Sequence, residues 1–199
     1  MKKVFLPLLL LAGLAGTAHA QSDISLGLKA GGTLSSFVGK QASSAKSIFG
    51  FQAGGFANIG FTDMLAFQPE LLYSQKGAEI PSIPNPHDVH LGYVDVPLML
   101  HVNANGLFFE AGPQLGFLVS AKDKYNTITY DRKSRYNTFD LGYAAGLGYQ
   151  LKTGPGIGLR YNGGITNIEK ATTVGSATVQ NNIRNSAFQL YLTYSFNGR

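Results

Sequence analysis

An all-β fold, eight antiparallel strands in up-and-down order closed into a barrel, is what the sequence predicts, and three observations predict it. Eight segments of alternating apolarity occupy approximately 24–34, 48–60, 64–76, 91–102, 107–119, 138–150, 156–166 and 186–196. The connections alternate strictly in length. Those at 35–47, 77–90, 120–137 and 167–185 are long and polar, whereas 61–63, 103–106 and 151–155 are short turns. Only 14% of the residues are charged, fewer than a water-facing sheet surface carries.

The first twenty residues have the pattern of an export signal. Lys2 and Lys3 precede an apolar run from Val4 to Ala15, and Ala18-His19-Ala20 offers small residues at the two positions a signal peptidase reads. The apolar run is shorter than the roughly 20 residues a spanning helix needs. The expected division is therefore a signal peptide over 1–20 and one barrel domain over 21–199. There is no cysteine, which excludes disulfide staples, thiolate chemistry and a lipid anchor on the mature end. Stability without disulfides outside the cytoplasm fits a closed barrel, in which no strand edge is left unpaired. The net charge of +5 falls to +3 once Lys2 and Lys3 are removed, too weak a bias to suggest nucleic acid as a partner.

Each strand divides into two faces, because successive side chains point to opposite sides. Segment 65–76 sets Leu65, Phe67, Pro69, Leu71 and Tyr73 against Ala66, Gln68, Glu70, Leu72, Ser74 and Lys76. Segment 107–119 sets Leu107, Phe109, Ala111, Pro113, Leu115, Phe117 and Val119 against Phe108, Glu110, Gly112, Gln114, Gly116 and Leu118. In segment 186–196, Phe188, Leu190, Leu192, Tyr194 and Phe196 oppose Gln189, Tyr191, Thr193 and Ser195. Six charges lie well within the strands, Lys29, Glu70, Asp95, Glu110, Asp140 and Arg160, and all six fall on the face opposite the apolar one. Segment 48–60 is the least regular, with Ile48 and Phe56 on the face opposite Phe49 and Phe51.

The apolar faces are broad and aromatic; the opposite faces are small, glycine-rich and sparsely charged. This is inside-out relative to a soluble sandwich, and it predicts that the apolar face meets lipid while the charged face fills the lumen. Aromatics near the strand ends then form two girdles. Phe37, Tyr73, Phe117 and Phe139 lie toward the long loops, and Phe61, Phe67, Tyr149 and Phe196 toward the short turns. With eight strands, both termini are periplasmic and the four long loops extracellular. An eight-stranded barrel is just wide enough for its own side chains, which disfavours an open pore.

At this point several strings resemble a known family. Leu65-Ala66-Phe67-Gln68-Pro69-Glu70-Leu71-Leu72-Tyr73 looks like the third strand of PorT-like outer-membrane barrels. Tyr93-Val94-Asp95-Val96-Pro97-Leu98 resembles their fourth strand, and Phe109-Glu110-Ala111-Gly112-Pro113-Gln114 their fifth. Arg160-Tyr161 with Gly164-Ile165-Thr166-Asn167 resembles the seventh. The resemblance implies an eight-stranded porin-family barrel in the outer membrane, inserted by machinery that reads the last strand. Here Phe196 is followed by Asn197, Gly198 and Arg199 rather than ending the chain.

Three groups of residues are candidates for function. The six lumen charges, Lys29, Glu70, Asp95, Glu110, Asp140 and Arg160, read as a structural network that rigidifies the barrel, or as a gated ion path. Four acids against two bases also predict that at least one carboxylate is held neutral at neutral pH. His87, Asp88 and His90 fall in the second long connection. An adjacent His–Asp pair is what a general base needs, which keeps a rim enzyme acting on lipid or peptide as the alternative. No serine nucleophile motif accompanies them, so no catalytic residue, cofactor or metal ligand is assigned. Lys122, Lys124, Arg132, Lys133 and Arg135 crowd the third long connection with three tyrosines, a composition suited to the phosphates of surface lipopolysaccharide. The expectation is thus a non-enzymatic outer-membrane scaffold or narrow channel. Its expected partners are membrane lipid, lipopolysaccharide, the insertion machinery and an envelope protein held by the loops 120–137 and 167–185.

Overall fold

The computed structural model describes residues 24–82, 86–125, 128–174 and 177–196. The expected signal peptide lies outside these residues, as does the chain beyond Phe196. Eight long strands form the wall: β1 (Ile24–Val38), β2 (Ile48–Gly60), β3 (Leu65–Ile80), β4 (His87–Ala104), β5 (Leu107–Tyr125), β7 (Phe139–Gln150), β8 (Pro155–Gly164) and β11 (Arg184–Ser195). Three short strands, β6 (Ile128–Asp131), β9 (Thr172–Val174) and β10 (Ala177–Val179), lie in the long connections, with one 3-10 turn over Lys133–Arg135.

Every wall strand pairs antiparallel with its neighbours, and the β1–β11 pairing closes the cylinder. At one end the links are short. Asn105 and Gly106 both adopt positive φ, 51° and 92°, so β4 and β5 are joined by the two-residue turn that suits twisted hairpins.

The inside-out reading of the sequence holds along the strands. Leu26, Leu28, Phe51, Leu71, Phe109, Leu159, Leu190 and Leu192 all face outward and are half exposed or more. A contiguous apolar belt of this extent has no place on a water-facing surface. Of the eight expected girdle aromatics, Phe37 is a correction: it is 6% exposed and points into the barrel mouth. Phe56 also points inward, which explains the irregular pattern of β2.

Strand length is the second correction. β8 has 10 residues and β7 and β11 have 12 each, close to the 9–11 residues that cross a bilayer. β3, β4 and β5 have 16, 18 and 19 residues. They run on past the bilayer as a projecting sheet, with a register shift between Gly92 and Tyr93 near the exit. The connections expected over 77–90 and 120–137 are therefore partly strand. Above the membrane both faces of a strand meet polar surroundings, so the apolar alternation that marks a span stops before the strand does.

Candidate functional site

Arg160, on β8, lies at the centre of the lumen and is 1% exposed. Its Nη1 and Nη2 each donate to Glu70 at 2.8 Å, while Nε and Nη2 donate to Glu110 at 2.7 and 2.6 Å. One guanidinium therefore holds two carboxylates from β3 and β5, the strands on either side of β4, in the forked geometry that arginine favours. Lys29 donates to Glu70 at 2.9 Å and lies 3.8 Å above the Tyr191 ring. Tyr191 in turn donates its hydroxyl to Glu110 at 2.7 Å. Gly158 makes room for that tyrosine, since a Cβ there would come within 2.3 Å of the ring. Two acids and two bases are thus paired away from water, tying β1, β3, β5, β8 and β11 together.

The six charges expected in the lumen all point inward, but they do not form one network. Asp95 pairs with Lys76 at 2.9 Å. Asp140 accepts from Asn185 at 2.8 Å and Thr166 at 3.0 Å. Lys76 lies at the expected end of its strand and was not counted among the lumen bases. As a third base it halves the excess of acids that predicted a neutral carboxylate. His101 stacks on Phe108 and lies 3.1 Å from Glu110. Glu70, His101 and Glu110 offer ligand atoms within 4.8 Å of one another. Both carboxylates already hold Arg160, so a metal ion would have to displace the guanidinium.

Above the charges the mouth is closed by an apolar cap. Phe37, Val89, Leu91, Tyr93, Leu118, Tyr136 and Ile168 pack there, contributed by three wall strands and two loops. Backbone bonds lock the loops over it: Asn137 N–H to Ile168 at 2.8 Å, Lys170 N–H to Arg135 at 3.0 Å, and Ile168 N–H to Ile183 at 2.9 Å. Sequence reading missed this cap because its members come from segments that look unrelated until the loops fold together.

Tyr136 gives the cap a pH signature. Burial first, then the negative charges of Asp123 and Glu169, hold its phenol above the ordinary tyrosine range. A raised acid contributes stability that is complete below the unfolded value near 10 and is lost as pH rises further. The cap is therefore expected to loosen above about pH 10 while the barrel persists. Proteolysis of the loops as a function of pH measures this, and Tyr136→Phe should flatten that dependence.

The two rim candidates are rearranged. His87, Asp88 and His90 are not in a loop but on β4, where alternation sends His87 and Asp88 to opposite faces. His87 stacks on Tyr125 with centroids 4.4 Å apart, and Asp88 stands opposite Lys124 in the register. The adjacent His87 and Asp88 therefore do not face one another as the general-base pair the sequence offered. The five basic residues are likewise divided. Lys122 and Lys124 are on β5 rather than in a loop, with Asp131 and Asp88 as cross-strand neighbours. Arg132 lies 3.7 Å from Asp123, and Arg135 pairs with Glu169 at 3.2 Å. Lys133 lies in the 3-10 turn. Acids are interleaved with these bases, so the expected cationic patch is largely neutralised.

A closed eight-stranded barrel with an apolar belt and an ionic lumen defines an integral protein of the bacterial outer membrane. The chain belongs to the outer membrane protein β-barrel domain family, whose model matches residues 19–170. No curated protein matches the sequence. Among solved structures it is similar to neisserial surface protein A, at 15% identity and a TM-score of 0.55, covering 86% of this chain and 97% of that one. Ail of Yersinia pestis follows at 16% identity and a TM-score of 0.48, covering 86% and 98%. OprG of Pseudomonas aeruginosa shares 10% identity at a TM-score of 0.46, covering 89% and 98%. At these identities the likeness is one of fold. Family membership implies an outer-membrane location.

Proposed function

We propose that the protein is a non-enzymatic, non-conducting scaffold that presents an extracellular sheet to a protein partner of the envelope or surface. The strand strings quoted above favour the PorT-like branch of the family. The observation that carries the reading is the projecting sheet and its open edge. β3, β4, β5 and β6 stand above the membrane side by side, and β6 ends the sheet. The connection 39–47, between β1 and β2, covers the opposite edge through paired backbone bonds between Lys46 and Glu79 at 2.9 and 3.0 Å. Exposed Ile128 and Tyr130 lie on β6 itself.

An uncovered edge strand is a template for strand addition by an extended segment. Arg132 N–H donates inward to Ala121 at 3.0 Å. By the alternation of an antiparallel pair, Thr129 and Asp131 turn their N–H groups to the open side. The lumen filling supports the non-conducting half of the proposal, because the ion cluster and the cap stand in series across the only axis a solute has.

The test is capture of envelope proteins by the refolded barrel in nanodiscs, comparing the natural chain with Thr129→Pro. Proline removes an outward donor without touching the bonds to β5. Partner recovery is expected to fall at least about tenfold, the effect of roughly 1.4 kcal/mol. Equal recovery would reject the edge as the docking line. Lipopolysaccharide remains a second proposed contact through Lys122 and Lys124, and their joint replacement by glutamine tests it.

A further inference from the structure

Between the central ion cluster and the apolar cap lies a layer of polar side chains that the protein does not satisfy. Its position follows from the inner face of each strand. Along β1 the order is Lys29 in the cluster, then Thr33, then Phe37 in the cap. Along β3 it is Glu70, then Ser74 and Lys76, then Ala78. Along β11, Tyr191 of the cluster is followed outward by Gln189 and Asn185.

Within this layer Thr33 Oγ1, both amide atoms of Gln52, Ser74 Oγ, Gln189 Oε1, Asn162 Oδ1 and Asn185 Oδ1 have no protein partner. All six residues are more than nine-tenths buried. The register sets Gln52 opposite Ser74 and Thr33 opposite Gln189, so these groups adjoin rather than scatter. Asn162 and Asn185 also line a void of about 10 Å³, the size of one water, together with Lys76, Gln114 and Asp140.

Buried polar atoms with no partner are costly, and a cluster of them at one level asks for a common ligand. The chemistry selects among small ligands. The orphan atoms are mostly acceptors, which need hydrogen-bond donors or a cation. Lys76, however, brings an ammonium to the same void, a cation supplied by the chain itself beside the Asp140 carboxylate. A water satisfies both sides: it donates twice to the amide oxygens and accepts from Lys76. We infer that the layer is a site for ordered water, a sealed hydrated compartment with salt bridges below it and apolar packing above. This inference goes beyond the proposed partner-binding role and is independent of it.

The test is water-selected NMR on the deuterated, refolded protein in lipid nanodiscs, read at the side-chain amides of Gln52, Asn162 and Asn185. Cross-peaks to water with the sign of a slowly tumbling, long-lived contact are expected at all three. Silence at these amides, in a spectrum where an exposed amide such as that of Asn182 does report water, would overturn the assignment. So would movement of the Asn162 and Asn185 resonances when sodium is exchanged for choline, since that would give the site to a metal ion.

Discussion

Arg160→Met is expected to destabilise the barrel by about 3–5 kcal/mol, the range found when one partner of a buried ion pair is removed. The reason is geometric. Arg160 makes four charge-assisted hydrogen bonds to Glu70 and Glu110, and among the described residues it is the one that hydrogen-bonds both carboxylates. Without it Lys29 is left to compensate Glu70, and Glu110 keeps only Tyr191 and His101. Unfolding in urea from lipid vesicles, followed by heat-modifiable gel mobility, measures the loss. The quadruple variant Lys29→Met, Glu70→Gln, Glu110→Gln, Arg160→Met should recover most of it, because the desolvation penalty disappears with the charges. A single variant as stable as the natural chain would mean the cluster is hydrated and open.

The second large effect is on the outer face. Leu190→Arg, halfway along β11, places a guanidinium at the bilayer midplane and is expected to cost about 2–4 kcal/mol. Leu151→Arg, beside a periplasmic turn, lies near the interface and should cost about 0–1 kcal/mol. Both residues are about half exposed, 59% and 49%. A water-facing surface would therefore tolerate both changes equally. The difference between them is the energetic signature of lipid.

Much of this architecture was legible in the sequence because a span has only two faces and the period of a strand is two. Lys29, Glu70, Asp95, Glu110, Asp140 and Arg160 betrayed the lumen by sharing a register opposite Leu, Phe and Tyr. Their division into separate pairs was not legible, since it depends on which walls face each other across the cylinder. Lys76 was within reach: it shares the inner register of Glu70 and Ser74, and only its place at the strand's expected end kept it from the count. The projecting sheet was hidden for a different reason. Past the bilayer, Lys122, Asp123 and Lys124 still alternate in direction but no longer in polarity, so strand and loop look alike. Phe37 was misplaced because an aromatic near a strand end fits a girdle as well as a plug. Only the folded loops, with Tyr136 and Ile168 closing over it, distinguish the two.

A spin-label scan along β11 in lipid nanodiscs, comparing collisions with oxygen and with a water-soluble nickel complex, tests the inside-out arrangement most directly. Labels at 188, 190, 192 and 194 should favour oxygen, and labels at 189, 191 and 193 should be shielded from both reagents. Preferential collision of the even-numbered labels with nickel would place that face in water and contradict the account.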